Sequence, residues 1–271
     1  MPLTPLLSRV LGLRASARLV AVARIITGIA ATLAAFEMWR LVRRLLIPTV
    51  IKLPYLEWLP LLPSASVKPF ILLWVVAAIA FAVGWHARIA GAALVSAIGY
   101  SLLMDQQVYS NHLYLLFVIV LLLTIVSNGP RAGRESLVGW PIWLLKIQVS
   151  IVYIFSAIAK LTPQYLSGEV LTQSLKLEGF FTVPVSWRLP VAMQVSSVIA
   201  IAAEIFVGLG LWSRRLRPAA AIVGVFFHLF IIAALDSSRL SLSIFALAMI
   251  GAYLLFFDRT APDPALLSPK K

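Results

Sequence analysis

Lys160 is the first charge after the apolar stretch "IVYIFSAIA", residues 151–159. A lysine in that setting fits one of two roles. It snorkels, laying its apolar stem along the bilayer and its ammonium among the headgroups. Or it is buried, where desolvation disfavours the charged form and leaves a neutral amine able to act as a general base. Tyr153, Ser156 and Lys160 fall at i, i+3 and i+7, so they share one face of a helix. A buried lysine would therefore have two hydroxyls along its own face. Spacing alone leaves both roles open.

Other residue types with chemical reach sit inside apolar stretches. His112 lies in "YSNHLYLL" beside Asn111, and His228 lies in "VFFHLFI". An imidazole in such a place orients or polarises a substrate oxygen, or simply bonds to a neighbouring helix. Asp105 ends an apolar run, where it is a site residue or a solvated loop residue. Arg24, Glu37 and Glu204 fall within apolar spans, where charge is unfavourable, and are expected to pair inside the bundle. Lys146 is expected to snorkel. There are no cysteines among the 271 residues, which removes disulfides, thiolate catalysis and cysteine-bound metals. Haem ligation by His112 and His228 is disfavoured, because they are single histidines without a flanking haem pattern.

These residues need elements to hold them, and composition dictates which. The chain is 61% hydrophobic and 12% charged, with a mean hydropathy of +0.97. Soluble domains carry about 25% charged residues. A chain this apolar is an all-α, polytopic membrane helix bundle, since no alternating barrel pattern appears. We expect about eight transmembrane helices, near 17–43, 68–86, 89–106, 111–127, 141–161, 189–212, 217–235 and 239–257. Residues 1–16 form a cytoplasmic N-terminal segment, 17–258 the transmembrane domain, and 259–271 a cytoplasmic C-terminal tail. The first span contains Arg24 and reads as a retained helix rather than a cleaved signal.

Two connections are longer. Residues 45–67, rich in proline and aromatics, read as an interfacial segment. Residues 162–188 read as a short helix and a lid over the membrane surface. No soluble domain, internal repeat or low-complexity tract is visible.

The net charge of +13 belongs to bases flanking apolar runs, which fits topology and anionic lipid, not nucleic acid. With the N-terminus inside, the inner segments hold twelve Lys and Arg against nine outside. That bias puts both termini in the cytoplasm of a multi-pass protein of the inner or plasma membrane. Alternating helices then place Asp105, His112, Lys160 and His228 at one end of the bundle, the outer end. We expect them to surround one cavity.

At these residues the sequence resembles the HTTM (horizontally transferred transmembrane) domain family, related to the membrane domain of vitamin K-dependent gamma-glutamyl carboxylases. Three stretches carry the likeness: "YSNHLYLLFVIVLLLTIVSNG", "VYIFSAIAKLTPQYLSGEVL", and "EIFVGLGLWSRRLRPAAAIVGVFFHLFI" with the following "LSLSIFALAMIGAYLLFFD". It spans about residues 15–260. In those carboxylases a lysine deprotonates reduced vitamin K. Oxygen then converts the hydroquinone to an epoxide by way of a strong base that abstracts a proton from glutamate, and carbon dioxide adds.

The resemblance implies that Lys160 is the base. It also implies that His112 and His228, with Asn111 and Tyr153, bind a reduced quinone, either menaquinol or vitamin K hydroquinone. The chain departs from the carboxylases in lacking their large soluble domain after the helices. It also has Ala159-Lys160 where the family often has two lysines.

Three functions follow for comparison. The first is a quinol-dependent oxidoreductase or carboxylase-like lyase acting on a secreted or periplasmic peptide. The second is a non-catalytic membrane module that helps mature or export such a peptide, similar to sporulation-delaying protein B. Transport is third, because no inverted repeat or pair of broken helices is visible. Membrane lipids are expected partners, and nucleic acid is not.

Overall fold

A computed structural model describes residues 13–126, 136–176, 189–234, 239–258 and 261–262. The eight expected spans are all helices: α1 (Ala17–Leu45), α2 (Ser64–Val83), α3 (Ala87–Met104), α4 (Asn111–Val126), α5 (Trp140–Ala159), then, after two short helices, α8 (Pro190–Gly210), α9 (Arg217–Ala234) and α10 (Arg239–Phe256). The short helices are α6 (Pro163–Leu166) and α7 (Glu169–Lys176). Seven of the eight long helices are long and apolar enough to cross a membrane, and α4 is an apolar helix of 16 residues. At 1.5 Å per residue, sixteen residues reach about 24 Å, a little short of a typical hydrocarbon core.

Large apolar side chains stand exposed along these helices, among them Phe36, Leu72, Ile89, Phe155, Ile199 and Phe226. In water such a surface would drive association. In lipid it is the solvated face. The chain is an integral, multi-pass membrane protein.

The chain divides into two compact units, Met1–Leu145 with Leu247–Lys271, and Lys146–Ala246. In the first unit α1 packs on α2 and α4, α2 on α3, and α3 on α4. Small residues let the backbones approach, as membrane helices require where no hydrophobic force drives association. Ala30, Ala31, Ala34 and Ala35 of α1 are fully buried. A Cβ on Gly28 would lie 2.5 Å from the Ala82 Cβ. Trp74 seals the seam by donating its indole N–H to the Ala31 carbonyl at 2.9 Å.

The first unit also holds a small antiparallel sheet: β1 (Leu13–Ser16) pairs on one side with β2 (Ser136–Val138) and on the other with β3 (Ala261–Pro262). The Ser16 amide, at the N-cap of α1, donates to Asp258 Oδ2 at 3.0 Å. Strands of two to four residues leave no alternation to read, so the sequence showed only helices.

The interfacial segment ends earlier than expected, because α2 begins at Ser64. Residues 46–63 form turns and extended chain without regular structure. Asp105 holds this segment, and here the solvated-loop alternative is corrected. Asp105 is fully buried and accepts from the Leu53 amide at 2.8 Å and the Gln107 amide at 2.9 Å. Gln107 Nε2 donates to the Ile51 carbonyl, and the Tyr100 hydroxyl to that of Pro60. Buried backbone amides need partners, and a carboxylate is a strong one.

In the second unit α8 packs on α9, and the short helices α6 and α7 pack on α8. The expected short helix after Lys160 is thus two helices ending at Lys176. The rest of the expected lid, residues 177–188 with Glu178, Arg188 and "GFFTVPVSW", lies outside the described residues, as does Asp236.

Candidate functional site

The last two turns of α5 aim Tyr153 and Ser156 along one face, and Lys160 continues that face one residue past the helix end. Opposite them, α8 supplies Glu204. Close approach of these helices depends on Gly208, where a Cβ would lie 3.2 Å from the Tyr153 Cβ. Ser150 of α5 donates to the Gly208 carbonyl at 2.8 Å and accepts from the Trp212 indole at 2.7 Å. These bonds fix the register of α5 against α8, and hence the height of Glu204 beside Lys160.

Lys160 Nζ is 2.5 Å from Glu204 Oε1 and 2.6 Å from Ser156 Oγ. Ser156 donates its own proton to the same Glu204 oxygen at 2.8 Å. The Lys160 side chain is 25% exposed and that of Glu204 only 6%. The ammonium turns onto a buried carboxylate, with a quarter of the lysine side chain still exposed. Glu204, expected to pair within the bundle, finds its partner in the residue singled out as the base. Such an arrangement can pass a proton between nitrogen and carboxylate over one short hydrogen bond.

One turn deeper, the Tyr153 hydroxyl and His228 Nε2 of α9 share a hydrogen bond of 2.7 Å. Tyr153 is 2% exposed and His228 5%. The His228 ring stands edge-on to Phe245 of α10, centroids 5.3 Å apart. Tyr153, Ser156, Glu204 and His228 line a cavity of about 130 Å³, with Phe227 and Phe245 among its aromatic walls. Lys160 bonds to two of these lining residues, Ser156 and Glu204.

A cover lies next to Lys160. Thr162 caps α6 by accepting from the Tyr165 amide, and the Tyr165 ring centroid is 5.9 Å from Lys160 Nζ. Gly168 has φ +77°, and a Cβ there would come within 2.5 Å of the Gln194 amide on α8. Only glycine fits both the left-handed backbone and that approach. Burial, and then the Glu204 carboxylate, push the Tyr165 phenol above its ordinary value of 10.0. The phenol keeps its proton chiefly because burial disfavours the ionised form, and the Glu204 carboxylate adds to this.

The other two expected binding residues belong to the first unit. His112 Nε2 lies 2.6 Å from Glu37 Oε2 of α1 and 3.4 Å from Ser110 Oγ. Glu37 thus pairs inside the bundle, as expected. Asn111 is exposed at the first turn of α4. Asp105 closes the interfacial segment of that same unit. Arg24, expected to pair, has a buried Nε without a partner among the described residues. Among the described residues no group of three His, Cys, Asp or Glu side chains clusters as a metal site.

The residue the sequence underused is Glu204. Its only signal was a carboxylate inside an apolar span, read as a structural pair. Its position four residues before Gly208, the contact point with α5, is what aligns it with Lys160.

The family model of the HTTM domain matches residues 14–260. The chain belongs to that family. The match begins within the first strand of the sheet and ends just before its third, so every membrane helix described above lies within the HTTM domain. No curated protein and no solved structure matches the chain.

Proposed function

We propose that this HTTM protein is an acid–base enzyme of the membrane that binds a reduced quinone, with Lys160 as the base. The observation that carries the reading is the Lys160–Glu204–Ser156 cluster, built on a buried carboxylate, against a ring-lined cavity. A carboxylate placed deep in a membrane domain is unfavourable unless function retains it. The residues present suit a quinol. Tyr153, Ser156 and Glu204 place hydroxyl and carboxylate groups in the cavity wall beside His228. Tyr153 and His228 add a second hydrogen-bonding pair in the same wall, and Phe227 and Phe245 suit an aromatic ring.

When bound, such a quinol would supply the reducing equivalents and the acidic hydroxyl. The chain's own task is the proton. Lys160 surrenders a proton to Glu204 Oε1, and the neutral Nζ then accepts one from the hydroxyl side, with Ser156 Oγ bridging. Tyr165 keeps water from Nζ. His228, held by Tyr153, orients the head group. A secreted or periplasmic peptide is the proposed acceptor substrate, following the family likeness. The proposed location is the inner or plasma membrane with both termini cytoplasmic.

The test is a lipid extract of the purified protein, analysed for quinone by mass spectrometry. Stoichiometric quinone is the expected result. An extract with none above the background of an unrelated membrane protein, together with full function of the Lys160→Arg variant, returns the cluster to a structural ion pair.

A further inference from the structure

Arg24 lies in α1 with its guanidinium over Gly84, the residue that caps the end of α2. Gly84 has φ +85°, and a Cβ there would lie 3.1 Å from Arg24 Cζ and 3.5 Å from Nη1, with Nη2 closer still. Glycine is therefore needed twice, for the left-handed turn and for the space the guanidinium fills. A cation in a membrane span is expected to have a carboxylate partner. Arg24 makes no ion pair and no hydrogen bond among the described residues. Glu37, the one acid of α1, is about 20 Å further along the helix and is bonded to His112. The first turn of α3, which follows the Gly84 turn, holds no acid either.

What surrounds the guanidinium decides its partner. Nε is buried, but the side chain as a whole is part-exposed, so the Nη groups are the donors a ligand can reach. Ile25 on α1, and Val83 and Trp85 on either side of Gly84, are exposed and apolar. The solvent at this position is therefore lipid. The depth is that of headgroups. α1 has 29 residues, about 44 Å against a hydrocarbon core of about 30 Å, and Arg24 is only about 10 Å from its start. Gly84 stands where α2 ends, beside a tryptophan of the kind that marks the membrane interface. We infer that Arg24 and the notch at Gly84 form a binding site for the headgroup of an anionic phospholipid, whose phosphate oxygens accept from Nη1 and Nη2. The planar fork suits a phosphate, which it can engage through two N–H groups at once. A zwitterionic headgroup brings its own cation, which competes for the phosphate, so an unpaired Arg24 selects a lipid of net negative charge. The site belongs to the first unit and stands independently of the quinol reading.

The experiment is native mass spectrometry of the delipidated full chain in detergent, titrated with phosphatidylglycerol or with phosphatidylcholine of the same acyl chains. The dissociation constant of the first lipid bound is read for each. Charge-assisted hydrogen bonds to a net anionic headgroup predict at least about tenfold tighter binding of phosphatidylglycerol. Arg24→Lys keeps the positive charge and can still snorkel, but loses the fork. It should reduce the preference to about threefold or less. Arg215→Lys makes the same change at an arginine exposed in the turn between α8 and α9, and should leave the preference unchanged. Inorganic phosphate in molar excess should not displace the bound phosphatidylglycerol, because the acyl chains hold it among the exposed apolar side chains.

Equal affinity of the native chain for the two lipids overturns the site, and needs no variant to show it. Retention of the full preference by a folded Arg24→Lys protein overturns it as well, since charge alone then suffices. An equal loss in Arg215→Lys would assign the preference to the basic surface at large and overturn the role of Arg24. Displacement by inorganic phosphate would overturn the lipid as the source of the phosphate.

Discussion

Lys160 Nζ and Glu204 Oε1 stand 2.5 Å apart, joined across two helices that meet at Gly208. Forty-four residues separate the two in sequence, yet the pair depends on small details of helix contact. Ser150 pins α5 to α8 at the Gly208 carbonyl, one turn past Glu204 on α8 and two to three turns before Lys160 on α5. Moving that contact by one residue would rotate Glu204 about 100° away. The pair is therefore a statement about helix register as much as about charge.

Gly208→Val probes that register. A Cβ at 208 would already lie 3.0 Å from Ile154 Cδ1 and 3.2 Å from the Tyr153 Cβ. A branched side chain forces α5 and α8 apart, at about 1–3 kcal/mol for overpacking. The expected result is a thermal midpoint lowered by several degrees. Gly208→Ala should fall between native and valine. A valine variant as stable as the native chain would mean that the helices do not meet here.

Asp105 is a structural anchor of the first unit, and a second prediction follows from its two bonds. Asp105→Asn keeps one acceptor oxygen and replaces the other with a donor, so either the Leu53 or the Gln107 amide loses its partner. The segment at 46–63 should loosen. Lys52 is exposed within it, so limited trypsin digestion at Lys52 should run faster in the variant, by about tenfold for one lost charged hydrogen bond. An unchanged rate would show that Asp105 does not hold the segment.

Tyr165 makes a third prediction, through pH. Its phenol is raised above 10.0 by burial and by Glu204, while in the unfolded chain it titrates near 10. The folded state therefore keeps a proton that the unfolded state gives up. The stability tied to this group is full below about pH 10 and is lost as pH rises through the higher folded value. Tyr165→Phe cannot titrate. Its midpoint should fall less than that of the native protein between about pH 9 and pH 11. Identical alkaline profiles would place Tyr165 in water.

The membrane helices were legible because hydropathy is a local property. Each of the eight spans was located within a few residues, and the shared face of Tyr153, Ser156 and Lys160 followed from the helical period. The partners were not legible. Glu204 and Glu37 both stood out as carboxylates in apolar spans, but no local pattern says that one meets Lys160 and the other His112. Only packing between distant helices decides that. Asp105 shows the same limit from the other side: as a helix-end aspartate it reads as solvated, and only the folded-back chain at Leu53 buries it. The three-stranded sheet was invisible because its register is set by residues as far apart as Arg14, Val138 and Ala261.

Lys160→Arg is the sharpest test of the proposed chemistry, and the structure strengthens it. Arginine stays protonated in proteins, so it keeps the positive charge beside Glu204 but cannot become a neutral base. Its planar fork also bonds carboxylates through two N–H groups at once. At this position it would hold the Glu204 carboxylate at least as firmly as the ammonium does. The variant should insert, fold and reach native membrane abundance, since the ion pair is kept or improved. It should nevertheless fail to restore the phenotype of a host lacking the gene. Lys160→Ala is a poorer probe, because it leaves the Glu204 carboxylate buried without its cation and risks unfolding the second unit. Membrane levels are compared by immunoblot in parallel. Full rescue by Lys160→Arg at equal abundance would mean that Lys160 serves only to neutralise Glu204, and the proton chemistry would have to be withdrawn.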